Sequence, residues 1–344
     1  MGSIGCKCCS EREDEGPKLA KDLKILAKVH GQESKAEADP NAMIITFTDS
    51  EGMEAEMCVQ ALRTYLDLKT VKRLRHIQAF EAAALSRLSA EAAAVRNKQG
   101  PYQFKEGRPM FPSTMRVSPG VDYVGDLSVA ESKPNGRGIL VSSDGSISEG
   151  YWLSGKLHGK ARQIQANGDW YIGDWQAGLM DGRGKQQYSD GHCYEGEWQA
   201  GLQHGKGVET WADGASFSGL FQEGQKHGAG IFYWSDGSKY EGELRRNQLE
   251  GRGTYLWGDG KRYEGDWKAN KMHGFGTFAW PDGKKYEGMY EADQKNGFGT
   301  FTWADGRKYE GGWLNNKRHG KGVEYLKGIP FEGVWDNGKK IDSS

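Results

Sequence analysis

The sequence has 344 residues, 46 basic and 47 acidic, so its net charge of −1 creates no global field that would draw it to nucleic acid. Glycine, at 51 residues, is about twice its usual share of roughly 7%, while the 36% apolar content lies below the usual range of roughly 45–50%. A thick Leu/Ile/Val core is thereby excluded, and with no apolar run of about 18 residues so is a membrane-crossing helix.

The first ten residues read "MGSIGCKCCS". They lack the apolar core of a secretory signal, which predicts a chain that stays on the cytosolic side. Removal of Met1 exposes Gly2, an acceptor for myristate, with Ser3 and Lys7 as typical company. The usual pattern wants Ser or Thr where this chain has Cys6. One myristoyl chain attaches only marginally, with a partition constant of roughly 10⁴ M⁻¹, and a second lipid makes attachment stable. Cys6, Cys8 and Cys9 are the palmitoylation candidates. Crowding of this kind does not suit a disulfide framework, which spreads cysteines through a domain. The competing readings are a free terminus with incidental thiols and a soft metal site. Residues 1–16 as a whole resemble the anchors of N-terminally acylated peripheral proteins.

Residues 17–53 are expected to be partly ordered, with a short helix at "DLKILAKVH", 22–30. Residues 54–98 read as one helix with room for a break. Val59, Leu62, Leu66, Leu74 and Ile77 form one apolar stripe, and Leu85, Leu88 and Val95 a shifted one. Its basic middle, Lys69, Lys72, Arg73 and Arg75, has two readings. With Lys7 it contacts anionic lipid, each charge contributing on the order of 1 kcal/mol near the surface, or it is a solvated face. Pro101, Pro109, Pro112 and Pro119 mark residues 99–122 as a linker or clasp.

From residue 123 the chain repeats. An aromatic-x-Gly-x-aromatic unit begins at Tyr171, Tyr194, Phe217, Tyr240, Tyr263, Tyr286 and Tyr309, always 23 residues apart, with the second aromatic replaced only at Leu244. Worn copies begin at Tyr123 and Ser148, and a last one at Phe331, giving nine full copies and a half. Each copy reads as two short strands with turns at "DG" and at "HG". Parity assigns the first turn. A three-residue loop at Ser235-Asp236-Gly237 pairs Phe232 with Tyr240 and puts Phe232, Trp234, Tyr240 and Gly242 on one face, whereas a two-residue loop splits the aromatics. The same arithmetic pairs Tyr255 with Tyr263, Phe278 with Tyr286, and Phe301 with Tyr309. The fold class is an all-β repeat array, an antiparallel meander preceded by a helical region. Two strands per copy at about 4.8 Å spacing would make it on the order of 90 Å long, with ring pairs of about 0.5–1.5 kcal/mol each standing in for aliphatic packing.

"YEGEWQAGLQHGKG", "YEGDWKANKMHGFG" and "YEGGWLNNKRHGKG" resemble MORN repeats (membrane occupation and recognition nexus), over residues 123–344. The resemblance implies an elongated, twisted antiparallel sheet that acts as a scaffold, in some relatives joining membranes to cytoskeleton or to other membranes. It also implies protein docking, dimerisation, or binding of phosphoinositides or phosphatidic acid. Departures in the copies at 123 and 148 suggest a capping end.

Five histidines (His158, His204, His227, His273, His319) share one repeat slot, but Asn135, Asp181, Glu250 and Asn296 also occupy it, which favours turn chemistry over a metal ladder. No P-loop, EF-hand loop, kinase signature, GxSxG or HExxH is present, so no enzyme, cofactor or metal is expected. Arg183, Lys206, Arg252 and Lys321 recur after "HG" and meet either phosphates or solvent. The aromatic face, comprising Trp211, Phe232, Trp234, Tyr240, Trp257, Tyr263, Trp267, Trp280, Tyr286, Trp303, Tyr309 and Trp313, is either a partner groove or a thin core.

The leading expectation is a non-enzymatic scaffold, lipid-anchored at the cytosolic face of the plasma or an internal membrane, with cytoskeletal or signalling partners and no nucleic acid. The alternatives are an anionic-phospholipid reader and a regulatory subunit that docks a lipid kinase or other enzyme. An unpaired strand edge near Phe331 invites a homodimer through the C-terminal repeats.

Overall fold

The computed structural model describes residues 44–48, 54–104, 113–128 and 130–341. The acylation candidates Gly2, Cys6, Cys8 and Cys9, with Lys7 and the 22–30 helix, lie outside the described residues. The chain forms two compact units, one ending at Ala79 and one starting at Phe80.

In the first unit β1 (Ile44–Thr48) pairs antiparallel with β2 (Glu54–Cys58), Ile44 standing opposite Cys58. Helix α1 (Val59–Leu85) follows and continues into the second unit. The expected 54–98 helix is thus shorter at its start, because residues 54–58 find a β-branched partner strand. Its break falls at residues 86–89, before α2 (Ala90–Gln99), where the Ser89 hydroxyl accepts the Ala92 N–H. Lys69 lies in α1, as do Lys72, Arg73 and Arg75, the last three exposed.

The second unit is one antiparallel sheet of 21 strands, each paired with the next in sequence from β3 (Ser113–Ser118) to β23 (Lys339–Ile341). Among the described residues nothing pairs β23 with β3, so the sheet is open at both ends. The sheet begins inside the stretch read as a linker, since β3 pairs with β4 (Val121–Leu127). At the other end, among the described residues, β23 covers only Val334, Trp335 and Asp336 of β22 (Ile329–Asp336), and nothing pairs with the edge beside Phe331.

The three-residue loop is present. Between β13 (Gln225–Tyr233) and β14 (Lys239–Arg245), Gly237 N–H donates to Trp234 O at 3.1 Å, and Trp234 N–H to Ser238 O at 2.9 Å. Gly237 sits at φ +85°, and Phe232 stands opposite Tyr240. The other expected pairs, Tyr255 with Tyr263, Phe278 with Tyr286 and Phe301 with Tyr309, also form.

The turn expected at "HG" is elsewhere. β14 passes to β15 (Gln248–Leu256) through Arg246 and Asn247, both at positive φ (+51° and +65°), a two-residue turn of type I′. His273 and Gly274 instead lie inside β17 (Lys271–Ala279), where the register with β16 (Arg262–Lys268) shifts. Gly274, at φ +57°, forms a bulge. Both places need left-handed backbone, and the sequence shows that need without saying which one reverses the chain. Acceptors in the histidine slot serve the neighbouring turn: Asp181 accepts the Ala200 N–H and Glu250 the Ala269 N–H, each at 3.0 Å. Turns are also tied to the repeat before. Asn270 N–H donates to Leu249 O at 3.1 Å, and the Asn270 side chain accepts the Leu249 N–H at 2.7 Å.

Away from the bulges side chains alternate between the two faces, as in β18 (Lys285–Glu291), where Tyr286, Gly288 and Tyr290 are buried and the others exposed. On the first face each repeat tyrosine lies over a cross-strand pair of glycines. Tyr263 is fully buried, its hydroxyl donates to Asp266 O at 2.9 Å, and Gly265 stands opposite Gly276 beneath the ring. A Cβ on Gly276 would come within 2.4 Å of the Tyr263 hydroxyl. The repeat at 148 shows the reciprocal: Ser148 replaces the tyrosine, and Ala161, opposite Gly150, fills the vacated space at 0% exposure.

The second face of the first repeats is covered by the chain itself. Ala84, Leu85, Leu88, Ala92 and Val95 pack on Val141, Ile147 and Ile164. Ser89 pins the start of α2 to two turns, its N–H donating to Gly145 O and its hydroxyl to Ala166 O. Arg96 and Arg162 both hold the buried Glu149. Arg116, joined by Arg87, holds the Asp122 carboxyl below the usual carboxylate range. The first copies depart from the repeat because a helix sits on them.

Gly276→Ala is expected to destabilise the array by about 2–3 kcal/mol through overpacking. Combined with Tyr263→Ser, its cost should shrink by about 1 kcal/mol or more in a double-mutant cycle read by urea unfolding. Additive costs would contradict the ring-over-glycine geometry.

Candidate functional site

The first face holds two tiers of rings. The lower tier is the core: Tyr240, Tyr263, Tyr286 and Tyr309 are fully buried, and Trp267 and Trp313 nearly so. Trp267 meets Tyr263 edge-on at 5.1 Å and the preceding repeat's Tyr240 at 5.7 Å, both at 89°, while its indole N–H donates to Gly253 O at 3.1 Å. Tyr286, Tyr290 and Trp313 continue the pattern. Burial pushes the phenols of Tyr123, Tyr171, Tyr194, Tyr240, Tyr263, Tyr286 and Tyr290 well above their ordinary pKa.

The upper tier is half-buried and forms one unbroken column. It runs Tyr188, His192, Trp211, Phe232, Trp234, Tyr255, Trp257, Phe278, Trp280, Phe301, Trp303, successive centroids 4.3–5.7 Å apart. The "DG" loop creates it, because that loop places the tryptophan before the turn and the aromatic two residues earlier on the same face as the repeat tyrosine. The face predicted from sequence therefore divides. Trp211, Phe232, Trp234, Trp257, Trp280 and Trp303 offer surface, while Tyr240, Tyr263, Tyr286, Tyr309, Trp267 and Trp313 support it from below. The lower rings are thus a thin core, and a half-exposed row lies above them.

Sequence reasoning missed the polar members of this face. Glu209 stands where other repeats carry Phe232 or Phe278, and is 7% exposed. It bonds Lys226, and His192 Nε2 lies 2.8 Å from it. The signal was available as a break in the aromatic row, "VETWADG" against "IFYWSDG".

Over the middle repeats the second face mixes ion pairs, such as Lys239–Glu241 and Lys285–Glu287 at 2.7 Å, with exposed apolar side chains such as Leu220, Tyr233, Leu256 and Met289. Arg183, Lys206, Arg252 and Lys321 all lie on it, one slot per repeat, but Phe275 and Phe298 take that slot in two repeats and are exposed. Beside the end of α2, a cleft of about 760 Å³ is lined by Tyr102, Tyr151, Lys160, Arg183, Lys185, Glu195 and Lys206, among others. Among the described residues no cluster of three or more His, Cys, Asp or Glu is placed to hold a metal ion, and no helix is long and apolar enough to cross a membrane.

The MORN repeat model matches residues 130–147, 149–170, 171–193, 194–216, 217–239, 240–262, 263–285, 286–306 and 309–327. The chain belongs to the MORN repeat family. Its MORN array makes it a repeat scaffold and binding protein. No curated protein gives a significant match. Among solved structures, the chain is similar to the TCP10 domain of Danio rerio CPAP, at 11% identity over 58% of this chain and 92% of that one, with a TM-score of 0.32. It is also similar to the SAS-4 (dCPAP) TCP domain of Drosophila melanogaster in complex with a proline-rich motif of Ana2, at 13% identity over 56% and 99%, with a TM-score of 0.27.

The buried tyrosines of the MORN array predict an alkaline limit. Their folded pKa values lie above the unfolded value of about 10, so the stabilisation they carry is complete below that pH and is lost progressively as pH rises above it and through the folded values. Each contributes a slope of up to about 1.4 kcal/mol per pH unit. The urea midpoint should stay level to about pH 9 and fall steeply above about pH 10. A midpoint unchanged at about pH 11 would show that the phenols are not buried.

Proposed function

We propose that this MORN protein is a non-enzymatic scaffold held at the cytosolic face of a membrane by acyl groups on Gly2 and on Cys6, Cys8 or Cys9. Its aromatic column is the surface on which a cytoskeletal or signalling partner lies. The observation that carries the docking role is the column itself, a continuous run of half-exposed rings held rigid by a buried tier. Aromatic side chains with few rotamers lose little entropy on binding, and they are the commonest anchors of interfaces. The tether rests on the sequence of the first ten residues and on the physics of paired acyl chains.

A second reading, in which the array itself reads anionic headgroups, is supported by the basic residues of the cleft beside α2. It is the weaker one, because Lys160 is already paired with Asp174 at 2.7 Å and Lys185 with Glu195 at 3.3 Å.

The test uses the full chain in cells, as wild type, as Gly2→Ala, and as the double variant Trp234→Ala/Trp257→Ala. Gly2→Ala should move from the membrane to the soluble fraction, and the tryptophan variant should stay on the membrane while losing the proteins cross-linked to the wild type. A Gly2→Ala protein that remains membrane-bound would favour the lipid reader. An unchanged set of cross-linked proteins would remove the column from the docking role.

A further inference from the structure

One slot of the repeat, the second residue after the two-residue turn, points into the aromatic face. Leu249 and Met272 fill it with apolar side chains, and Lys226, Lys295 and Arg318 fill it with cations. Two of the three cations are neutralised from within. Lys226 lies 4.9 Å from the Trp211 centroid and bonds the Glu209 carboxylate. Arg318 lies 5.4 Å from the Tyr309 centroid and 3.3 Å from Glu324. In both, the carboxylate stands in the row that otherwise carries Phe232, Tyr255, Phe278 and Phe301, so a ring has been given up beside each cation to supply its counter-charge.

Lys295 has no such provision. The corresponding positions on either side of it are Phe278 and Phe301. Its ammonium lies 5.1–5.4 Å from the ring centroids of Trp280, Tyr286, Phe301 and Trp313. Among the described residues no carboxylate is paired with it. Ring faces attract a cation but do not satisfy its three N–H donors. A half-buried charge without a counter-ion is held at a cost that a partner can relieve. Burial also pushes the Lys295 pKa down, in keeping with the missing counter-charge.

We propose that Lys295 is the specificity point of the aromatic column: the partner segment that lies there is apolar with an acidic residue, whose carboxylate bonds the Lys295 ammonium between Trp280 and Trp303. This rests on the reading of the column as a docking surface and adds the chemistry of what docks. At Lys226 and Arg318 the chain supplies its own acid and needs none from a partner.

The experiment selects random displayed peptides on the immobilised full-length chain. Peptides won on the wild type are then synthesised and titrated against Lys295→Met, Lys226→Met and Trp280→Ala/Trp303→Ala. Methionine suits the slot because Met272 already occupies it, and a cooperative thermal transition well above the assay temperature confirms that each variant folds. The expected peptides share one Asp or Glu among apolar residues. Their affinity should fall roughly tenfold, the scale of one charge-assisted bond, for Lys295→Met, and far less for Lys226→Met. Peptides with no acidic preference, or bound equally by Lys295→Met, overturn the proposal while leaving the column as a docking surface. Peptides indifferent to Trp280→Ala/Trp303→Ala, or no peptides at all, overturn the docking reading with it. Phosphatidylserine vesicles that bind the wild type but not Lys295→Met, in place of peptides, would reassign the residue to lipid and overturn the peptide proposal.

Discussion

A tyrosine ring laid flat over two facing glycines is the contact from which the rest of this sheet follows. Because neither glycine has a Cβ, the ring can sink to the backbone, where its hydroxyl reaches the carbonyl three residues on, as from Tyr263 to Asp266 and Tyr286 to Met289. The sunken ring then offers its face and edges to the next aromatic of its own repeat and of the following one. A sheet that, among the described residues, carries a covering helix only on its first repeats thereby gains a core from rings lying along it. The exchange of Tyr and Gly for Ser148 and Ala161 shows that the pair behaves as one unit of volume.

That arrangement also leaves part of the aromatic face exposed. A core that lies this close to the backbone leaves the residues nearest the "DG" loops only half covered, and these are aromatic. The same face is closed at depth and half-exposed at its rim, and the two environments fall on different residues of one repeat. The opposite face is settled differently at each end. Helix α2 covers the first repeats with aliphatic contacts and the Arg96–Glu149–Arg162 cluster, while later repeats present ion pairs.

Much of this could be read from the sequence because the period is strict. Alternation of Phe232, Trp234 and Tyr240 allowed only one loop length that gathered the rings, and the strand pairings follow from that. The second turn was not legible. "HG" and "RN" both ask for positive φ, and only the pairing of strands shows that Gly274 bulges while Arg246-Asn247 reverses the chain. The split of the aromatic face was equally hidden, since parity places Trp257 and Tyr263 together but says nothing of depth. Depth comes from the glycine pair, which only the cross-strand register reveals. The covering helix had left a signal in Val141, Ile147 and Ile164, aliphatic where later repeats carry Ala279, Lys285 and Thr302.

Hydroxyl-radical footprinting of the full chain tests most directly the division of one face into a buried tier and a half-exposed tier. Trp234, Trp257, Trp280 and Trp303 should oxidise several-fold faster than Trp267, Trp313, Tyr263 and Tyr286 in the native protein, with the difference lost on unfolding. Equal protection of both sets would mean that the column is closed core. Faster oxidation of Tyr263 and Trp267 would contradict the ring-over-glycine arrangement itself.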